Sequence, residues 1–350
     1  MYEKIRPILF KFDPENMHGL VENSLIIAQA APMVLEYLAK QYCIVDDRLK
    51  QNICGLNFYN PVGLGAGFDK NATMTKALSA LGFGFIEVGT VTPKPQDGNP
   101  KPRIFRFVEE KSIQNAMGFN NDGGKKILER LQRIYPYAIP IGVNIGKNKI
   151  TEEEKVIFDY KKLVSIFKNT SDYFTLNLSS PNTPNLRDLQ NEEFVKVLLS
   201  ELRCQTNKPI FLKISPDMDI DYMLKVCECA IDNGASGIIA TNTTVDYSLV
   251  KNPKDKGGIS GAALKKRSKE VFQILSENLF KKTILISIGG IDDGEEAYER
   301  IKLGASLIQI YTTMIFEGPC IVREINKTIL EKLIEDGFKD ISEAIGKSLY

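Results

Sequence analysis

The chain has 350 residues, 43% of them hydrophobic, which suffices for one large domain or two small ones. Its 45 basic and 44 acidic side chains leave a net charge of +1, so no global field directs it to nucleic acid. A single histidine, His18, excludes a Ser-His-Asp triad and any multi-histidine metal site. Proton chemistry therefore falls to Ser, Lys, Tyr, Asp, Glu or Cys. The six cysteines, Cys43, Cys54, Cys204, Cys227, Cys229 and Cys320, form no C-x-x-C pair and no zinc spacing. They read as reduced thiols of an intracellular protein, mostly in its core. No apolar run reaches the length of a membrane span, and no signal-peptide pattern opens the chain.

Residues 1–50 differ from the rest. Asp13 followed by Pro14 is an N-cap and first-turn signal, so a helix should start there. Leu20, Val21, Leu25, Ile26 and Ile27 load it with apolar side chains. Pro32 breaks it and starts a second short helix carrying Met33, Val34, Leu35, Tyr37 and Leu38. Lys4, Arg6, Lys11, Lys40, Arg48 and Lys50 surround the pair. Two short apolar helices with basic flanks can lie in a membrane surface, or pack on the main domain, or do both in part.

A small hairpin is expected over residues 51–60, and then a regular alternation begins. Short β-branched runs predict strands at 62–66, 85–91, 139–145, 173–178, 210–214, 237–241, 284–288 and 307–311. Amphipathic stretches predict helices at about 70–81, 122–135, 152–169, 191–206, 219–233, 264–280, 293–303 and 320–336. Apolar strands alternating with helices imply parallel pairing through helical crossovers. The fold expected is α/β: a (β/α)8 TIM barrel over residues 51–350, with residues 1–50 as an N-terminal helical extension. The alternative is a doubly wound open sheet. Its glycine signature is matched only weakly, by Gly63, Gly65 and Gly67.

The strand ends carry the chemistry. They are Ala66 to Lys70, Gly89-Thr90, Asn144, Asn177 with the Ser180 loop, Lys213 to Ser215, Thr241 to Thr243, Gly289-Gly290 and Tyr311-Thr312. In a barrel all of these meet on the C-terminal face, where such folds place their active sites. The loop Ser179-Ser-Pro-Asn-Thr-Pro184 is stiffened by two prolines and full of hydroxyls and amides. Alone, such a loop is more often a surface turn. Gly289-Gly290 and Tyr311-Thr312 end the last two strands, where barrels often bind phosphate. Lys213 ends a buried strand and needs a partner. The anionic edge of a reduced flavin is one such partner, and a carboxylate such as Asp217 is another. Asn115, Asn177, Asn182 and Asn242 place amides on what the sequence suggests are four separate strand-end loops. Converging amides suit a ring with alternating N–H and C=O groups, such as a pyrimidinedione. Lys70 could meet a substrate carboxylate.

These segments resemble the dihydroorotate dehydrogenases, specifically their membrane-associated, quinone-reducing class 2 branch. The matching stretches begin with Phe12 to His18, Gly65 to Lys70, Glu87 to Gln96, Asn115 to Asn121 and Gly142 to Asn148. They continue with Asn177 to Arg187, Ala240 to Thr244, Gly257 to Gly261 and Gln309 to Tyr311, nearly the whole chain. The resemblance implies an FMN enzyme of pyrimidine synthesis that oxidises dihydroorotate to orotate and passes electrons to a membrane quinone, ubiquinone or menaquinone. It assigns FMN to Ala66, Gly67, Phe68, Asp69, Lys70, Thr90, Asn144, Asn177, Lys213, Thr241, Gly261, Gly290, Tyr311 and Thr312. It assigns substrate to Lys70, Asn115, Ala116, Met117, Gly118, Phe119, Asn177, Asn182, Asn242 and Thr243. Ser180 would be the base; the cytosolic class 1 branch has a cysteine at that position. The N-terminal helices would form a quinone tunnel reaching the flavin at His18, Arg106 and Tyr311. No metal is expected. A monomer in peripheral contact with lipid, on the cytoplasmic face of a bacterial inner membrane, is the expected setting. Two departures stand out: Ala116 where relatives commonly have Arg, and Ala262-Ala263 where they commonly have Arg-Pro. The competing readings are a flavin barrel with a soluble acceptor, a non-redox phosphate-binding barrel, and a membrane-binding module without activity.

Overall fold

The structure, a computed structural model, describes residues 2–349. Three helices open it: α1 (Tyr2–Leu9), α2 (Pro14–Gln29) and α3 (Pro32–Tyr42). Asp13 caps α2, its carboxylate accepting from the Glu15 and Asn16 amides at 3.0 and 2.9 Å, with Pro14 in the first turn. No residue of these three helices is fully buried. Ile27, Met33 and Tyr37 are 74%, 83% and 63% exposed, a large apolar display for helices that also touch the body. Tyr2 donates its hydroxyl to the Ile315 carbonyl and Gln29 donates to the Thr73 carbonyl, so both predicted roles, docking and display, are met by different faces.

The hairpin β1 (Gln51–Ile53) and β2 (Leu56–Phe58) follows. Next come β3 (Val62–Leu64), α4 (Thr75–Ala80), β4 (Phe85–Val91), β5 (Ile104–Phe107), β6 (Ser112–Asn115), α5 (Gly124–Ile134) and β7 (Ile141–Ile145). Then α6 (Val156–Phe167), β8 (Tyr173–Asn177), α7 (Glu192–Arg203), β9 (Ile210–Ile214), α8 (Ile220–Asp232), β10 (Gly237–Ala240) and β11 (Gly258–Gly261). The chain closes with α9 (Lys265–Leu279), β12 (Ile284–Ile288), α10 (Gly294–Lys302), β13 (Leu307–Ile310), α11 (Thr312–Glu317), α12 (Ile321–Glu335) and α13 (Ile341–Ala344).

Strands β3, β4, β7, β8, β9, β10, β12 and β13 form a closed barrel in that order, with every pairing parallel. The TIM barrel expected from the alternation is present, and the open sheet is excluded by the closing pair β13–β3. Aromatic rings fill the interior where glycines leave room. A Cβ on Gly63 would meet the Phe85 ring at 2.2 Å, and one on Gly142 the Tyr173 ring at 2.1 Å. Phe58 of the hairpin stacks edge-on against Phe85 and belongs to this same inner apolar cluster.

Three strands were not expected. β5, β6 and β11 form a separate antiparallel sheet, order β11–β6–β5. β5 and β6 lie in the connection between β4 and β7, and β11 in the connection after β10. This sheet is a shoulder at the barrel mouth, and α2 contacts β5. The cysteine expectation also changes. Only Cys227 is buried, while Cys54, Cys204 and Cys320 are exposed, and all six are free.

Candidate active site

A cavity opens where the eight strand ends converge. Its wall includes Ala66, Gly67 and Lys70 after β3, Thr90 on β4, Asn177 and Ser180 at the end of β8, and Lys213 on β9. Thr241, Asn242 and Thr243 come from the end of β10, Gly290 follows β12, and Tyr311 and Thr312 follow β13. The shoulder sheet and its flanking loops add Asn115, Met117, Gly118, Phe119 and Gly261, while Asn182 comes from the Ser180 loop. Asn177 and Asn182 thus share one loop, and Asn115 ends a shoulder strand. The four amides come from three places rather than four, because β6 lies outside the barrel.

Six residues named from the sequence stand off the wall. Phe68 packs edge-on between His18 and Tyr311, at 5.1 and 5.7 Å between ring centres. Asp69 is fully buried and ties down the turn before α4, accepting from the Thr73 amide at 2.8 Å and the Thr75 hydroxyl at 2.7 Å. Asn144 sits behind Thr90 and Asn177 in the barrel core. Ala116 is buried, and its carbonyl accepts from Asn99. His18 reaches the site only through Phe68. Arg106 donates to the Phe10 and Phe12 carbonyls, both at 2.9 Å, and lies over the Phe10 ring at 4.6 Å. The guanidinium therefore anchors the segment between α1 and α2, and the cations on the cavity wall are Lys70 and Lys213.

Polar order on the floor begins at Glu87, which the sequence reading passed over. This fully buried carboxylate accepts from Asn144 Nδ2 at 2.8 Å, Thr175 Oγ1 at 2.9 Å and Gln309 Nε2 at 3.0 Å. Asn177 Nδ2 donates to Thr90 Oγ1 at 2.8 Å and Asn144 Oδ1 at 3.2 Å. Asn242 Nδ2 donates to Ser179 Oγ at 3.0 Å. Ser180 is 5% exposed, and its Oγ accepts from the Asn182 amide at 3.3 Å. A charged residue in the middle of the otherwise apolar strand Phe85–Val91 was the signal that marked Glu87.

Electrostatics follow from burial. Lys213 makes no hydrogen bond or direct ion pair among the described residues; burial pushes its ammonium down, opposed by Glu87. Asp217, the partner considered from sequence, instead pairs with Arg187 at 2.8 Å. Burial pushes Lys70 down to about 8, against the pull of Glu22 and Glu15. Burial, with Lys70 nearby, pushes His18 down to about 3, so the imidazole is neutral. Burial alone pushes the Tyr311 hydroxyl up to about 12.

At the far end lies an anion cradle. Gly290 has φ +69, and a Cβ there would meet the Lys265 backbone at 2.3 Å, so only glycine fits. Its amide and that of Ile291 find no acceptor among the described residues. The first-turn amides of α11 are uncapped beside them, and Ser260 and Thr312 bring hydroxyls 2.8 Å apart. The fully buried Arg300 braces this turn through Ser268, which donates to the Gly289 carbonyl at 2.6 Å.

The dihydroorotate dehydrogenase family profile matches residues 48–333. The chain belongs to the dihydroorotate dehydrogenase family. Within it, the chain is 54% identical over 345 residues to the dihydroorotate dehydrogenase (quinone) of a Nitratiruptor species, covering 99% of this chain and 98% of that one. The corresponding protein of Helicobacter acinonychis is 49% identical over 349 residues, covering 100% and 99%. Among solved structures, the family enzyme of Eimeria tenella in complex with ferulenol superposes with a TM-score of 0.84. It is 34% identical, and the match covers 96% of each chain. Family membership fits the cradle and the floor: four cavity-lining side chains, Asn120, Asn182, Thr243 and Gln309, hold buried polar atoms that meet no partner.

Proposed function

We infer that this chain oxidises (S)-dihydroorotate to orotate for pyrimidine synthesis, with FMN as resident cofactor and a membrane quinone as final acceptor. The observation that carries the reading is the set of four unpaired buried polar atoms, on Asn120, Asn182, Thr243 and Gln309, around one cavity that also holds two cations. Such atoms cost free energy until a polar ligand satisfies them. FMN, when bound, supplies the hydride acceptor and the relay to quinone.

Gly290, Ile291, Gly261, Ser260 and Thr312 would hold its phosphate on backbone amides and hydroxyls. Lys213, with Thr90, Asn177 and Thr241, would meet the ring. Asn115, Asn182, Asn242 and Thr243 would hold the pyrimidinedione amides of the substrate, and Lys70 its carboxylate. Ser180 takes the C5 proton. Its Oγ is shut off from water, and the two cations on the cavity wall favour the alkoxide that forms.

Residues 1–50 form the quinone-facing unit and 51–350 the catalytic barrel. The exposed apolar side chains Ile27, Met33 and Tyr37 support peripheral insertion into the cytoplasmic leaflet of a bacterial inner membrane. No helix among the described residues is long and apolar enough to cross a membrane. The Phe68–Tyr311 contact gives the tunnel an aromatic inner end next to His18. We take the functional unit to be a monomer. The test is an absorbance spectrum of the protein as purified. Flavin bands that bleach anaerobically on adding dihydroorotate support the reading; a colourless protein that takes up no FMN overturns it.

A further inference from the structure

We propose that Glu87 is a positioning residue of this site: it supplies the buried negative charge that keeps Lys213 an ammonium and fixes which way the amides of Asn144 and Gln309 point. The inference rests on the flavin reading for its consequence, though not for its geometry.

Glu87 lies in the middle of β4 with no solvent exposure. A carboxylate there is tolerated only with donors and a counter-charge. It has donors from Asn144, Thr175 and Gln309. The counter-charge is Lys213, which has Glu87 as the single carboxylate acting on it. The other titratable group near Glu87 is Tyr173 at the base of β8, whose hydroxyl burial holds protonated far above neutrality. Neighbouring strands bring only neutral groups, among them Thr175, Thr241, Ser287 and Gln309.

The carboxylate also sets polarity. A carboxylate only accepts, so Asn144 and Gln309 must both present their NH2 groups to it. Asn144 Oδ1 is thereby turned to the Thr90 hydroxyl and to Asn177 Nδ2. Gln309 Oε1 is left without a donor on the cavity side of the network. One buried charge thus writes the donor and acceptor pattern that a ligand ring meets above it.

Glu87→Gln keeps shape and removes the charge. The sign is fixed: an anion raises the pKa of a nearby amine, so without it Lys213 deprotonates at lower pH. A 13C-lysine NMR titration, with the Lys213 signal assigned by its loss in Lys213→Met, should show its midpoint falling by about one pH unit or more in Glu87→Gln. FMN affinity should fall about tenfold at pH 8, with its alkaline limb displaced to lower pH by the same interval. Thr175→Val removes a hydrogen bond to Glu87 but no charge, so its Lys213 midpoint should stay in place; this separates charge from packing. A folded Glu87→Gln protein whose Lys213 midpoint is unchanged overturns the proposal, as does an equal shift in Thr175→Val. The Lys213 titration is read without flavin. A protein that takes up no FMN therefore defeats the cofactor reading, while the Glu87 result stands on its own.

Discussion

Ser180 is a weak base made useful by its surroundings. It is nearly inaccessible, held in a loop that Pro181 and Pro184 stiffen, and faces the same cavity as Lys70 and Lys213. Ser180→Ala should keep FMN and bind orotate, yet lose roughly two to four decades in the rate of flavin reduction by dihydroorotate, the usual range for a general base. Stopped-flow reduction at the wild-type rate would remove Ser180 from that role. Lys70 gives a pH signature. Burial lowers it to about 8, so it carries charge below that pH and loses it above. The apparent KM for dihydroorotate should therefore rise as pH increases through about 8, and Lys70→Arg, always charged, should abolish that rise. A KM that stays flat well above that pH in the native protein would count against a Lys70–carboxylate contact. Strand-end residues such as Asn177, Thr241 and Tyr311 were legible because the barrel rule sends every C-terminal strand end to one face. Glu87 was not, because it lies three residues before Thr90 and below the mouth, where a pattern of strand ends has nothing to say.

At the scale of elements, the three N-terminal helices are attached by few but specific contacts. Glu15 of α2 pairs with Arg103 at 2.7 Å, and Thr73 donates to Glu22 at 2.5 Å. His18 adds a pH sensitivity to this docking. Its folded-state pKa lies near 3 against 6.5 unfolded, so its contribution is intact above 6.5 and is lost progressively as pH falls from 6.5 towards 3. Removing residues 1–48 should split the two half-reactions. Every proposed flavin and substrate contact lies beyond the deletion, so FMN should stay bound and single-turnover reduction by dihydroorotate should persist. Turnover with decylubiquinone and binding to lipid vesicles should both fall steeply, because Ile27, Met33 and Tyr37 leave with the segment. A folded, flavin-loaded truncation that equals the full chain in both assays would refute the assignment. The sequence showed α2 and α3 through Asp13, Pro14 and Pro32. It did not show α1, which has Pro7 inside it and no cap among its residues, and whose order comes from Tyr2 and Arg6 reaching the carbonyls of Ile315 and Phe316. The shoulder strands were hidden for a related reason. Ile104–Phe107 is half-buried along its length with no alternation, and tertiary pairing with β6 makes it a strand.

For the whole molecule, the site is a closure of the barrel upon itself. The cradle is built from β11, the turn after β12 and the start of α11, while the floor is built from β4, β7, β8, β9 and β13. A ligand that touches both ends therefore bridges elements far apart in sequence, and binds only the folded state. Mass action then gives the size of its effect: FMN at a hundredfold excess over its Kd adds about 2.7 kcal/mol. With unfolding entropy scaling with length, that becomes an upward shift in Tm of about 4 °C for 350 residues. Calorimetry on flavin-stripped and reloaded protein should show this shift, growing with the logarithm of FMN concentration. Lys213→Ala, which removes the ring's cation, should shrink it at any fixed concentration, since Kd rises. The truncation lacking residues 1–48 should keep it, because the cradle and floor lie wholly in the barrel. Stripped and reloaded proteins that melt together, at FMN concentrations that restore the flavin spectrum, would mean that the cofactor does not tie these strand ends together.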